Sequence, residues 1–406
     1  MTRSTLVIVG ASLAGAKAAE GARDAGFDGR VVLIGDEPGA PYERPPLSKT
    51  VLRGEAEPET ARVHPEDFYR AHDIERVTDA VATLDTVRRR VELVGGGSVP
   101  FDSAVLATGA EPRRLSGPGA DLDGIHHLRT VDDAVRLRDA IRTAERVAIV
   151  GAGWIGSEVA ASARQMGADV VVIDPAPVPL HRVLGEEIGA MFRDLHADHG
   201  VTLRLGVGVK ALQGTKTVES VVLDGGEVQD ADVVVVGVGV VPRTELARDA
   251  LGLRVEDGIV VDQHLQTSVP GIFAAGDVAS AWHPHYRRHL RVEHWANALN
   301  QGTTAGRNAA GEDGVYDRLP YFFSDQYDLG LEYVGHSAPG DAVVIRGDLT
   351  TRELIAFWHT DGVVSAAMNV NVWDVVDDLK AIVASGQAID TGRLADPDVP
   401  LGDLAG

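Results

Sequence analysis

Short apolar runs that end on glycine and lead into stretches of helical length set the rhythm of this chain. Leu6 to Val9 is the first. It is mostly β-branched and does not alternate with polar residues, as expected of a strand buried on both faces. It stops at Gly10, a helix is predicted from about Leu13 to Ala25, and a second strand is predicted from Val31 to Ile34. Further on, Arg90 to Leu93 and Val99 to Phe101 flank the turn Gly95-Gly96-Gly97-Ser98 as a hairpin. The apolar strand Ala104 to Ala107 then closes on Thr108-Gly109. The same order of elements returns in the second half. It comprises a strand from Val147 to Val150, a helix from Ser157 to Met166 and a strand from Val170 to Ile173. A strand from Val218 to Leu223 with the turn Asp224-Gly225-Gly226 follows, then Val233 to Val236 leading to Gly237-Val238-Gly239.

The pattern changes after the second copy. Gly271-Ile272-Phe273-Ala274-Ala275 reads as a strand ending in Gly276-Asp277, and a helix is expected from Trp295 to Asn308. From about Pro320 short strands (Leu331 to Val334, Ala342 to Ile345, Leu354 to Trp358, Val363 to Met368) precede a helix expected to be capped by Asn371 and stopped by Gly386. The fold class is α/β, with two tandem dinucleotide-binding (Rossmann-like) domains and a C-terminal α+β domain. The expected boundaries are 1–110 with 244–319 for the first, 111–243 for the second and 320–406 for the third.

Composition narrows the function. The 406 residues carry 60 acidic against 38 basic side chains, a net charge of −22 that argues against nucleic acid or an anionic membrane as the main partner. The longest apolar run, Val233 to Val241, falls far short of the ~20 residues a bilayer span needs. No basic-then-apolar leader opens the sequence, so a cytoplasmic address is expected. Cysteine is absent, which excludes disulfides, thiolate metal sites and a dithiol redox relay.

The glycines carry the candidate chemistry. Gly10 permits a tight strand-to-helix turn, Gly15 a close helix–strand approach, and the helix N-terminus offers N–H groups to a pyrophosphate. Ser12 stands where the middle glycine of the fingerprint is usual, and Asp36 and Glu37 follow the second strand where a ribose-binding acid belongs. The second copy, Gly151-Ala152-Gly153-Trp154-Ile155-Gly156, is complete, and its acid is Asp174. Pro41 to Lys49 is proline-rich and is expected to be a stiff loop, either a connector or a platform for the lysine that ends it. Asp277 is a strand-terminal turn acid or a ligand group at the carboxyl end of a sheet. Glu293 and His294 precede a helix whose N–H groups could receive an anion or a carbonyl. The scattered histidines show no H-E-x-x-H spacing, and no metal is expected.

With these motifs in place, nearly the whole chain resembles the FAD-dependent, pyridine-nucleotide-linked ferredoxin reductases. The likeness rests on Val9-Gly10-Ala11-Ser12-Leu13-Ala14-Gly15, Tyr42-Glu43-Arg44-Pro45-Pro46-Leu47-Ser48-Lys49 and Ala107-Thr108-Gly109. It rests equally on Gly151 to Glu158, Ala275-Gly276-Asp277 and Ser324-Asp325-Gln326. The resemblance implies FAD in the first fold, with Asp36 on the adenosine ribose, Asp277 on the ribityl chain and Trp295 near the flavin ring. Ser12, Leu13, Ala14, Glu37, Arg44, Lys49, Val81, Ala107, Thr108, Gly109, Arg129, Gly276, Glu293 and His294 are the other implied flavin contacts. It implies NAD(H) in the second fold, along Gly151, Gly153, Ile155, Gly156, Glu158, Asp174 and Gly239. The chain departs from the pattern at Tyr321-Phe322-Phe323, where relatives often carry tryptophan.

The resemblance also implies catalysis by Lys49 and Glu158 as an ion pair, with hydride passing from NADH to FAD and single electrons to a [2Fe-2S] ferredoxin that feeds an oxygenase. The alternatives are an NADH oxidase producing hydrogen peroxide and a slow flavoprotein resembling apoptosis-inducing factor. An acidic ferredoxin is expected to dock near Arg287, Arg288 and Arg291, the densest basic run in an acidic chain.

Overall fold

The computed structural model describes residues 4–405. They form two compact units, each assembled from several chain segments: residues 4–43, 61–111 and 241–320 in the first, and 44–60, 112–240 and 321–405 in the second.

The first unit is built on a five-stranded parallel sheet in the order Ile272–Ala274, Ser103–Leu106, Thr5–Val9, Arg30–Gly35, Ile74–Thr78. Strand Thr5–Val9 is central, and Leu6, Val7 and Ile8 are fully buried, which is why the run shows no polar alternation. Two helices, Leu13–Asp24 and Trp295–Ala309, pack at near backbone contact. A Cβ on Gly302 would lie 2.3 Å from the Ala14 carbonyl oxygen, and one on Gly306 would lie 2.0 Å from that of Ala18. A three-stranded antiparallel ribbon, Val81–Asp85, Arg90–Leu93 and Ser98–Pro100, crosses between sheet strands. The expected hairpin is its second and third strands, and Val81–Asp85 adds a partner that hydrophobic runs alone do not reveal.

The second unit repeats the plan. Its parallel sheet runs Thr202–Leu205, Asp169–Asp174, Arg146–Val150, Val233–Val236, Ile125–His126, and its ribbon is Val209–Gly214, Val218–Leu223, Val228–Asp230. The fifth place in the sheet goes to a strand that precedes the repeat in sequence, whereas in the first unit it goes to one that follows. A five-stranded antiparallel sheet, Tyr321–Gln326, Leu329–Gly335, Val363–Val370, Glu353–Thr360, Ala342–Asp348, completes this unit. It shares one apolar core with helix His181–Asp198 through Leu184, Ile188, Phe192, Phe357's neighbour Trp358 and Met368.

Two local expectations are corrected. Pro45–Ser48 is a 3-10 helix leading into the short helix Thr50–Arg53, because prolines at the first helical positions forfeit no hydrogen bond. Asn371 caps no helix. It has φ +50° and its side chain accepts from the Gly330 N–H at 3.0 Å, while the helix starts at Val376 and ends, as expected, at Gly386 in the left-handed conformation.

Candidate functional site: two dinucleotide cradles and a buried ion pair

In the first unit the strand Thr5–Val9 delivers the chain to Gly10 at φ +111°. A side chain there would put its Cβ 2.1 Å from the Ala107 carbonyl oxygen, and at Gly15 it would be 1.8 Å from the Gly10 carbonyl. The turn is therefore closed to anything but glycine, and the helix N-terminus at Ser12 and Leu13 stays beside the carboxyl ends of the strands. Ala107 is tied to the first strand by its N–H to the Val9 carbonyl at 2.7 Å, so Ala107, Thr108 and Gly109 border the same turn.

Gly276 closes against Ala14, where its Cβ would lie 3.0 Å from that of Ala14, and its N–H is held by the buried side chain of Gln301 at 2.9 Å. That contact brings Asp277 to the N-terminal end of helix Leu13–Asp24. Helix Trp295–Ala309, entered through Glu293 and His294, presents a second N-terminus. Asp36 is exposed, 4.0 Å from Arg243, whose carbonyl accepts from the Thr108 hydroxyl at 2.8 Å. Glu37 accepts from the Tyr42 hydroxyl. Val81 lies two residues past Asp79, whose N–H donates to the Gly35 carbonyl at 2.9 Å, which places it at the end of the second strand.

The second cradle has the same build. Gly151 has φ +106°, its Cβ would lie 2.4 Å from the Gly237 carbonyl, and that of Gly156 would lie 1.9 Å from the Gly151 carbonyl. Gly153, the helix cap, faces open space on its Cβ side, and Ile155 is 45 % exposed beside it. The Asp174 carboxylate accepts from the N–H of Ala152 and of Ala176, each at 2.7 Å. Gly239 is exposed and accepts from the Arg113 N–H at 2.9 Å. Two strand-to-helix turns that exclude side chains and leave N–H groups facing outward fit the pyrophosphates of two dinucleotides.

Lys49 and Glu158 meet in this unit. The Lys49 ammonium lies 2.7 Å from Glu158 Oε1, with the two side chains only 12 % and 7 % exposed. Helix Trp154–Gln165 carries Glu158 one turn past the glycine cap, and the 3-10 helix Pro45–Ser48 delivers Lys49. Two serines complete the carboxylate: Ser48 donates to Oε2 and Ser324 donates to Oε1 at 2.7 Å. Phe323 lies under the lysine, its ring centre 5.9 Å from Nζ. Burial pushes the neighbouring Asp325 carboxyl up, with the charge of Glu158 adding to the shift and that of Lys49 opposing it. Arg44 donates to the Arg129 carbonyl at 3.2 Å, so these two predicted residues also come together.

The expected basic patch is smaller than the sequence implies. Arg287 and Arg288 are exposed at the tip of the hairpin Ala279–His283 and Arg288–Leu290, but Arg291 is not. Its side chain is 13 % exposed and pairs with Asp257 at 2.9 Å and with Glu293. His196, one of two buried histidines among the described residues, has a structural environment, bonded to Gln326 Oε1 at 3.0 Å and to the Tyr327 hydroxyl at 3.2 Å. Sequence reasoning missed Ser48, Ser324, Gln301 and Arg243 as site residues, although the first two lie inside quoted motifs.

The chain belongs to the pyridine nucleotide-disulphide oxidoreductase family, whose model matches residues 4–302, and a reductase C-terminal model matches residues 321–405. It is an oxidoreductase of the ferredoxin reductase group within that family. The ferredoxin–NAD(+) reductase component of the anthranilate 1,2-dioxygenase system of Burkholderia cepacia is 39 % identical over 404 residues, covering 99 % of both chains. The crystal structure of the ferredoxin reductase for the CYP199A2 system from Rhodopseudomonas palustris superimposes with a TM-score of 0.95 at 36 % identity, covering 99 % of this chain and 100 % of that one. The reductase in the covalent putidaredoxin reductase–putidaredoxin complex gives the same TM-score at 34 % identity, covering 100 % and 98 %.

Proposed function

We propose that this chain is an NADH-dependent flavoprotein ferredoxin reductase serving an oxygenase, with FAD in the cradle of the first unit and NAD(H) in that of the second. The observation that carries the reading is the pair of glycine cradles in a chain without a single cysteine. When bound, FAD would supply the conversion from hydride to single-electron chemistry. The protein supplies binding and electrostatics.

Helix N-termini at Ser12 and Gly153 would receive the pyrophosphates, and Asp36 and Asp174 ribose hydroxyls. Asp277 would serve the ribityl chain and Trp295 the flavin ring. Lys49, held by Glu158, presents a fixed positive charge to the hydride-transfer site and is not itself an acid or base in the reaction. With no thiol pair in the chain, electrons leave to an external acceptor, singly to an iron–sulfur centre or in pairs to oxygen, and the ferredoxin reading takes the first route. A [2Fe-2S] ferredoxin fits that outlet, and Arg287 and Arg288 offer an acidic partner a local reversal of the −22 field.

Among the described residues no helix is long and apolar enough to cross a membrane. The direct test is the absorbance of the purified protein followed anaerobically. A flavin spectrum bleached by stoichiometric NADH supports the reading, and a colourless protein, or a flavin that NADH leaves oxidised, removes it.

A further inference from the structure

Glu158 is a carboxylate with both oxygens accounted for by three side chains from two other segments. Oε1 takes the Lys49 ammonium at 2.7 Å and the Ser324 hydroxyl at 2.7 Å, and Oε2 takes the Ser48 hydroxyl. The two serine donors and the carboxylate that accepts from them are all buried: Ser48 is 2 % exposed, Ser324 1 % and Glu158 6 %. A buried charge left with one partner would turn toward whichever donor or water it could reach, and a single ion pair does not fix the carboxylate plane.

The two serines are themselves anchored. The Ser48 carbonyl accepts from the Ser162 hydroxyl at 2.6 Å, one turn along the helix that carries Glu158. Ser324 sits on strand Tyr321–Gln326, paired through the main chain with Leu331. The carboxylate is thus clamped between a helix, a 3-10 turn and a sheet, and the lysine has one place to point.

We infer that Ser48 and Ser324 are positioning residues for hydride transfer: their hydroxyls hold the Glu158 carboxylate in the orientation that aims Lys49, so that the reduction rate depends on two groups that need touch neither cofactor. The inference rests on the functional reading above. Hydrogen bonds to a charged group contribute about 1.5–3 kcal/mol. A misaimed Lys49 therefore costs roughly tenfold or more in the rate of the step it serves. Ground-state binding of NADH, which depends on the glycine cradle and Asp174, is left alone.

The experiment is anaerobic stopped-flow reduction of the full-length holoprotein by NADH, which separates the limiting rate from the apparent Kd. Ser324→Ala is expected to lower the limiting rate roughly tenfold with Kd within about twofold of wild type and full flavin content, and Ser324→Thr, which keeps the hydroxyl, to retain most of the rate. In a Glu158→Gln background the same Ser324→Ala change is expected to cost nothing further, since both act through one group. Should Ser324→Ala fail to hold flavin, Ser48→Ala gives the same readout from the other side of the carboxylate. A limiting rate unchanged in both alanine variants, or an equal loss in the Glu158→Gln background, would overturn the inference while leaving the reductase reading intact. A wild-type flavin that NADH does not reduce would overturn both.

Discussion

The Asp174 carboxylate accepts a hydrogen bond from the Ala152 N–H at 2.7 Å, so the acid that ends the second strand of the second fold also pins the glycine turn before it. Its remaining lone pairs are those a ribose diol would use. A 2′-phosphate about 4 Å from that carboxylate is repelled by roughly 1–4 kcal/mol, a factor of about 5 to 1000. NADH is therefore expected to exceed NADPH in kcat/KM. Asp174→Ala should weaken both nucleotides by loosening the turn and should narrow the ratio between them. Equal kcat/KM for the two nucleotides in the wild type would refute this assignment.

Gly153 and Gly156 separate fold from ligand. A Cβ at Gly156 collides with the Gly151 carbonyl at 1.9 Å, whereas one at Gly153 meets nothing within 4 Å. Gly156→Ala should therefore cost stability outright. Gly153→Ala should leave the thermal midpoint nearly unchanged, as a surface change does, yet weaken NADH binding about tenfold because the added methyl stands where a phosphate approaches. Titration of the reduced analogue or of NAD(+) into the variant checks this, and unchanged affinity would place the pyrophosphate elsewhere.

The docking surface reads through charge. Arg287→Glu combined with Arg288→Glu should cut ferredoxin-dependent turnover about tenfold at low ionic strength, less at high salt, and leave ferricyanide reduction untouched. Arg291 is excluded from this role by its pairing with Asp257 and Glu293. Its substitution should instead disturb the loop that carries Asp277, whose carbonyl it also reaches at 3.4 Å. Parallel loss in both assays for the Arg287/Arg288 variant would remove the patch from acceptor binding.

What could be read from the chain alone was local. The strand Thr5–Val9, the turn at Gly10 and the helix after it depend on neighbours within a few residues, and hydrophobic run and glycine mark them directly. Ser48 and Ser324 reach Glu158 across 110 and 166 residues of sequence, and no period or spacing records such a meeting. Asn371 misleads because a polar residue ahead of an apolar stretch looks like a helix cap, and only the fold shows its side chain spent on Gly330. Arg291 misleads in the same way: it ends a basic run, and of the two carboxylates that pair with it, Glu293 is two residues on but Asp257 comes from 34 residues earlier.

Burial pushes His196 down to about 4. Its neutral ring donates to Gln326 Oε1 and accepts from the Tyr327 hydroxyl. The unfolded chain protonates this histidine near pH 6.5 and the folded one near 4, so the unfolded state binds the extra proton first. The stability this residue confers is present above pH 6.5 and is lost as pH falls from 6.5 toward 4, by at most about 3 kcal/mol. Urea midpoints across that interval should fall less steeply in His196→Gln than in wild type, and parallel curves would contradict the assignment.

Electrons taken from NADH are expected to leave through a ferredoxin and not through oxygen. This is tested by supplying NADH and cytochrome c in air, with and without putidaredoxin or a second [2Fe-2S] ferredoxin, while hydrogen peroxide is measured in the same cuvette. The account predicts cytochrome c reduction that rises with ferredoxin concentration, saturates, and accounts for most of the NADH consumed. NADH consumption matched by hydrogen peroxide, with no increment on adding either ferredoxin, would contradict it and would make the chain an oxidase.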